Sequence, residues 1–178
     1  MNYKVIDRYK VRDTRFGRKP RNAVEALRQA RDFLVQEGAG HWIKGAEMAV
    51  KDRDALAKRR FNPKDPSWSQ WGVCAIGAVA LVTGDMQVTV VETVDDTGSE
   101  TTVMQRPNAE WPSPYYDAVR MLDDVAGDLG IVALNDAPTT RRQTVINRFN
   151  DAIELAKKRA NLDRGRNAAL TKKGQVNA

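Results

Sequence analysis

The alternation of apolar and polar positions divides the chain into helical and extended stretches. After Asn22, the apolar residues Ala23, Val24, Leu27, Ala30 and Leu34 recur three and four positions apart, which predicts an amphipathic helix. Asn22 followed by Glu25 has the form of a capping box, and Gly38 and Gly40 are the predicted stop. Residues 41–50 have the pattern of a second, shorter helix, which the charged stretch 51–60 either continues or replaces with a loop. Residues 62–66, Asn-Pro-Lys-Asp-Pro, read as a loop, because each proline biases the residue before it away from helix. A third helix, capped by Ser67 or Ser69, is expected through Val73, Ala75, Ile76, Ala78, Val79, Leu81 and Val82 to Gly84. It is apolar nearly all round and so belongs inside the domain. Gly72 and Gly77 would each cost about 1 kcal/mol against alanine there, which a close backbone approach would explain, particularly at Gly77.

The period then changes. Residues 87–94 are β-branched and partly alternating, residues 95–98 (Asp-Asp-Thr-Gly) are turn chemistry, and 101–105 read as a return strand. Two strands alone are marginal in water, so this hairpin at about 87–105 must pack on something. A helix is predicted at about 115–127, with Ala118, Val119, Leu122, Val125 and Ala126 on one face and Gly127 and Gly130 as breakers. Residues 131–134 form a short apolar run, and Asn135-Asp-Ala-Pro138 reads as a cap and turn. The last long helix opens at a second capping box, Thr140 with Gln143, and runs through Val145, Ile146, Phe149, Ala152, Ile153 and Ala156. The predicted fold is mainly α, with four to five helices, one inserted β-hairpin and a single compact domain. Residues 1–21 would be a basic arm, 22–162 the helical domain and 163–178 a basic, flexible tail. A chain of 178 residues suits one domain and can bury roughly two-thirds of its unfolded surface.

Charge adds what the apolar pattern omits. Residues 1–21 carry eight Lys/Arg against two Asp, and residues 157–178 carry seven against one, so each end is +6. The whole chain is also +6, which leaves the middle at −6. A fold does not require that segregation, so it points to a partner or to solubility. The expected partner is nucleic acid or an acidic protein surface, met by Arg8, Lys10, Arg12, Arg15, Arg18, Lys19, Arg21, Lys157, Lys158 and Arg159. Tyr3, Tyr9 and Phe16 are interleaved with these cations and would stack on bases. The competing reading is a pair of solvated ends. Zinc-finger, ribonucleoprotein and clear helix-turn-helix patterns are missing, as are glycine-rich phosphate loops. No apolar stretch reaches the ~18 residues of a membrane span and the start has no signal-peptide core, so a cytoplasmic setting without membrane contact is expected.

Candidate chemistry is sparse. One cysteine, Cys74, excludes an internal disulfide, and one histidine, His41, cannot complete a Cys/His zinc site with it. No metal or cofactor is therefore expected. A thiolate in the first turn of a helix is favoured by unpaired N–H groups, so Cys74 is a nucleophile candidate, with His41 as base and Asp136 or Asn135 as the orienting group. Its neighbours Val73, Ala75 and Ile76 favour instead a small buried hydrophobe. Trp42, Trp68, Trp71 and Trp111 are many tryptophans for this length. With Asn135 and Asp136, Trp42 and Trp71 would line a pocket for a flat ligand, unless they simply stitch the core.

Three pieces carry a resemblance. Trp42-Ile-Lys-Gly45, the run Trp71-Gly-Val-Cys-Ala-Ile-Gly-Ala78, and Asn135-Asp136 followed by Thr140 are spaced as in a family of small uncharacterised proteins of actinobacteria and their bacteriophages. The likeness spans roughly 22–156 and leaves out both basic ends. The hairpin looks like an insertion, and Leu134 stands where that family would have Trp. The resemblance implies a phage or actinobacterial origin, hence host cytoplasm or virion, and supplies no activity. The functional expectation is a phage-type binding protein with other virion or host proteins among its conceivable partners. A virion or assembly component and a thiol-dependent hydrolase or transferase using Cys74 are the alternatives.

Overall fold

The computed structural model describes residues 2–36, 42–45, 48–50, 71–95 and 98–176. In chain order the elements are β1 (Asn2–Val11), α1 (Ala23–Val35), β2 (Met48–Val50), β3 (Trp71–Val73) and α2 (Ala75–Thr83). They continue with β4 (Met86–Asp95), β5 (Gly98–Pro107), α3 (Pro114–Ala126), α4 (Gly130–Asp136) and α5 (Arg142–Val176). The protein is thus mainly α with a small antiparallel β component, in a single domain. Among the described residues no helix is long and apolar enough to cross a membrane.

The first helix forms as its sequence predicts. Asn22 Oδ1 accepts the Glu25 N–H at 2.9 Å, and the Glu25 carboxylate reaches back to the Arg21 N–H at 3.0 Å. Its inner stripe of Ala26, Leu27, Ala30, Phe33 and Leu34 is buried against α2, α3 and α5. Burial of each large member contributes about 1.5–3 kcal/mol. The helix ends at Val35; Gly38 and Gly40 lie outside the described residues, as do His41, Trp68, both candidate serine caps and all of 51–66.

The central helix is buried as expected but starts later. Trp71–Val73 is a strand, paired antiparallel with Met48–Val50, and the helix begins only after Cys74. Gly72 therefore belongs to a strand, where it faces Ala49 in register, and only Gly77 lies in the helix. The partner strand also corrects the expected second helix, since the described part of 41–50 is extended or turn. The stop is as predicted: Gly84 takes the left-handed conformation (φ 78°), and a Cβ there would meet the Arg12 side chain at 3.3 Å.

The predicted hairpin is β4–β5, with Asp95 opposite Gly98. Its support is β1, which pairs antiparallel along the other edge of β4 to complete the order β1-β4-β5. About half of the expected basic arm, 10 of its 21 residues, is therefore a sheet strand. The apolar members of its alternation are diluted by Lys and Arg, but Val11 pairs with Met86 and both are buried. A bulge between Val5 and Asp7 shifts the register, and beyond it Arg8 and Lys10 share the exposed face.

The C-terminal half also departs from expectation. The run 131–134 and the Asn135-Asp136 pair form one short helix, α4, opened by Gly130 (φ 70°) and by the Ile131 N–H bonding to Asp123 Oδ1 at 2.9 Å. The last helix starts at Arg142; Gln143 turns forward to Asn147 rather than back to Thr140. It continues to Val176 through the stretch expected as a tail. That stretch has no proline, and its Ala, Arg, Lys and single Leu are strong helix formers whose signal is propensity rather than apolar period, set against Gly165 and Gly174.

Candidate functional site

The three motif pieces meet around Asn135. Its Oδ1 accepts the Trp42 indole N–H at 2.8 Å and the Ala75 backbone N–H at 3.2 Å. Its Nδ2 donates to the Ile43 carbonyl at 3.1 Å and to Asp136 Oδ1 at 2.8 Å. All four side-chain hydrogen bonds are made and the residue is 1% exposed, so Asn135 is a buried clamp rather than a group offered to a ligand. The expected cap-and-turn role is replaced by this one.

The segment 42–45 is held against α4 by further contacts. Gly45 N–H donates to Asp136 Oδ1 at 2.9 Å, and Lys44 Nζ donates to the Ala137 carbonyl at 2.6 Å while lying 5.3 Å from the Trp42 ring centroid. On its other side, Ile43 N–H donates to the Val73 carbonyl at 3.0 Å. The Gly45 amide first, then the Asn135 amide, hold the Asp136 carboxyl below the ordinary aspartate range; desolvation opposes them and Lys44 assists.

Beside this corner lies an open cavity of about 430 Å³. Cys74, Ala75 and Ile76 form one wall, Asn135, Asp136 and Val132 another, and Arg106 and Tyr115 close it. Cys74 is half-buried and caps α2, its Sγ accepting the Gly77 N–H at 3.4 Å. Ala75 N–H is taken by Asn135, which leaves Ile76 N–H without a hydrogen-bond partner among the described residues. The structure therefore brings Cys74 and Asp136 to one cavity, whereas His41 lies outside the described residues. Of the expected pocket, Asn135 and Asp136 line it and Trp42 braces it. Trp71 is placed in β3, and Trp111 is 68% exposed against Tyr116. No cluster of three metal-ligating side chains occurs among the described residues.

The ten expected cationic contacts separate by environment. Arg12 straps the chain, its Nε donating to the Val82 carbonyl at 3.1 Å and its Nη2 to the Gly17 carbonyl at 2.5 Å. Arg15 grips the fully buried Asp13 with two nitrogens at 2.5–3.0 Å, and its guanidinium lies over Phe16 and Phe33. Arg18 and Arg21 approach Glu25 loosely at 3.5 and 3.6 Å, Lys157 pairs with Glu154, and Arg159 pairs with Asp124 at 2.8 Å. The Arg21 backbone amide and both guanidiniums depress the Glu25 pKa, and Lys157 depresses that of Glu154. Arg8, Lys10, Lys19 and Lys158 are exposed. Arg106, Tyr115 and Lys44 escaped the sequence reading because nothing local distinguishes them from other surface or helix residues.

Fold and site together define a small, mostly helical domain whose distant segments are pinned at one Asn-Asp corner beside an open cavity. The chain belongs to a family of unknown function, DUF6197, whose model matches residues 18–155. No curated protein and no solved structure matches it. The matched span contains Trp42, Cys74, Asn135, Asp136 and the cavity. It excludes β1 and all seven basic residues of α5 from Lys157 onward.

Proposed function

We propose that the protein is a non-enzymatic binding protein of phage type that grips nucleic acid through its basic ends. The observation that carries this reading is the far part of α5. Among the residues whose side chains are described, the last buried one is Ala156, and every residue of 160–168 is exposed. From Ala156 the helix runs another 20 residues, about 30 Å at 1.5 Å per residue, to Val176. A lone helix of that length is marginal in water, and Gly165 weakens it by about 1 kcal/mol more. A +6 segment that stays helical while exposing all of 160–168 is suited to lie along a polyanion, which would neutralise the charge and support the helix. On β1, Arg8 and Lys10 add exposed cations on an edge strand of the sheet. The phage setting rests on the motif resemblance.

The test is binding of a labelled DNA duplex and a single strand across salt. Affinity is expected to fall by orders of magnitude between about 50 and about 200 mM salt, and to weaken on truncation after Leu162. Salt-independent binding, or none, would remove the reading. Arg8→Gln with Lys10→Gln is the right N-terminal variant, since deleting 1–21 would strip a strand from the sheet.

One observation favours a second reading, thiol chemistry: Cys74 Sγ sits at the start of α2 on the wall of the open cavity that Asp136 also lines. Rapid alkylation of the folded protein by iodoacetamide well below pH 8 would support it.

A further inference from the structure

Arg120 and Asp124 lie one turn apart on α3, and across from them Arg159, Leu162, Asp163 and Arg166 fall at i, i+3, i+4 and i+7 on α5, a single stripe. Together they line an open groove of about 530 Å³. One ion pair anchors it: Arg159 Nη2 meets Asp124 Oδ2 at 2.8 Å, while Arg159 Nη1 lies 3.1 Å from Met121 Sδ. Arg120 and Arg166 make no ion pair among the described residues, and neither does Asp163. The groove therefore holds two uncommitted guanidiniums beside a third already neutralised.

We propose that this groove is a phosphate-binding subsite for the backbone of nucleic acid, with Arg120 and Arg166 as the gripping residues. The inference rests on the nucleic-acid reading above and gives it a place. Two planar guanidinium forks from separate helices are the donor set that matches phosphate oxygens, and guanidinium gives up its hydration more readily than ammonium. An open groove of this size admits a continuous backbone, whereas a free phosphate would be favoured by an enclosed one. The basic sequence also continues along the same helix, with Lys172 and Lys173 six and seven residues after Arg166. Arg120 belongs to the body, within the span matched by the family, and Arg166 to the projecting helix. A strand seated between them would fix the exposed end of α5 against the domain. Asp163 stands in the groove as an opposing charge and moderates its affinity.

The experiment measures binding of a fluorescein-labelled 20-base-pair DNA duplex and of a 20-nucleotide single strand to the full chain over a salt series. The variants are Arg120→Gln/Arg166→Gln, Asp163→Asn and, as a comparison, Arg8→Gln/Lys10→Gln, each checked for unchanged helicity. All of these side chains are exposed, so the variants are expected to fold. The Arg120→Gln/Arg166→Gln chain should bind about tenfold more weakly at 100 mM salt, with a log–log salt slope shallower by about 1.5–2, as for two lost phosphate contacts. Asp163→Asn should bind severalfold more tightly, an effect that a merely structural role would not produce. If the wild type binds with a steep salt slope while the groove variants match it in affinity and slope, the groove is wrong and the broader reading stands. If the wild type binds neither probe, the nucleic-acid reading fails and takes the groove with it. Arg120- and Arg166-dependent binding to poly-glutamate instead of nucleic acid would overturn the commitment to phosphate.

Discussion

The Trp42 indole N–H donates to Asn135 Oδ1 at 2.8 Å, joining residues 93 positions apart. Ala75 N–H shares the same oxygen, so one amide links the 42–45 segment, the start of α2 and the end of α4. Asn135→Ala strands the indole N–H, the Ala75 N–H and the Ile43 carbonyl, at about 1–3 kcal/mol for each buried group left unsatisfied. The adjacent cavity lets water reach some of them, so a total loss of about 3 kcal/mol is expected from urea unfolding. Trp42→Phe should cost about 1 kcal/mol, and the double variant should fall short of the sum by about 1 kcal/mol. Additivity would mean that the two residues do not act through this bond.

Asp136 predicts a dependence on acid. Its folded-state pKa lies below the unfolded one, because the Gly45 and Asn135 amides bond the charged form. Its contribution to stability is therefore present above the ordinary aspartate value of about 4 and is lost as pH falls through the lowered folded value. Glu25 and Glu154 are depressed as well, so the wild-type curve alone mixes several groups. The difference between wild type and Asp136→Asn isolates this one, and it should shrink as pH drops from about 5 to about 2.5. A difference constant over that range would show that the carboxylate charge does not matter to the corner.

Much of this frame was legible in the sequence where a local rule acts alone. The Asn22 cap, the α1 stripe, the Gly84 stop and the β4–β5 turn each depend on residues within one or two turns of chain. What escaped depends on distant partners. Trp71-Gly-Val is extended because Met48–Val50 pairs with it, and β1 is a strand because β4 offers an edge. Asn135 looked like a turn residue because its real partners lie at 42, 43 and 75. Cys74 was expected in the first turn of a helix capped at Ser67 or Ser69, but β3 delays that helix, so Cys74 is itself the cap, and its cavity comes from packing. The far part of α5 was missed for a different reason: residues 160–168 are all exposed, so no apolar period announces the helix there.

The arginines of the N-terminal region divide into two functional kinds. Arg15 holds a fully buried carboxylate, so Arg15→Ala leaves Asp13 unpaired and should cost about 3 kcal/mol, with little effect on the salt slope of nucleic-acid binding. Arg8→Gln/Lys10→Gln should do the reverse, leaving stability within about 0.5 kcal/mol while weakening binding. Thermal unfolding and a salt series on the same preparations check both. If Arg15→Ala flattened the salt slope as much as the Arg8/Lys10 pair, the division would be wrong.

Cys74 is where the fold-serving and chemical readings give opposite results. As the cap of α2, its sulfur satisfies the Gly77 N–H at 3.4 Å, a weak version of what a serine hydroxyl does at that position. Cys74→Ser should therefore be as stable as wild type, and Cys74→Ala less stable by about 1 kcal/mol. Nucleic-acid binding should be the same in all three, because the cavity is built from residues other than the basic ends. Iodoacetamide should label the folded protein slowly at pH 7 and quickly once urea unfolds it, since Cys74 is half-buried and its sulfur is engaged with the helix. Fast labelling of the folded chain, together with a Cys74→Ser variant that is stable but inactive toward a thiol-reactive ester, would assign the cavity to nucleophilic chemistry.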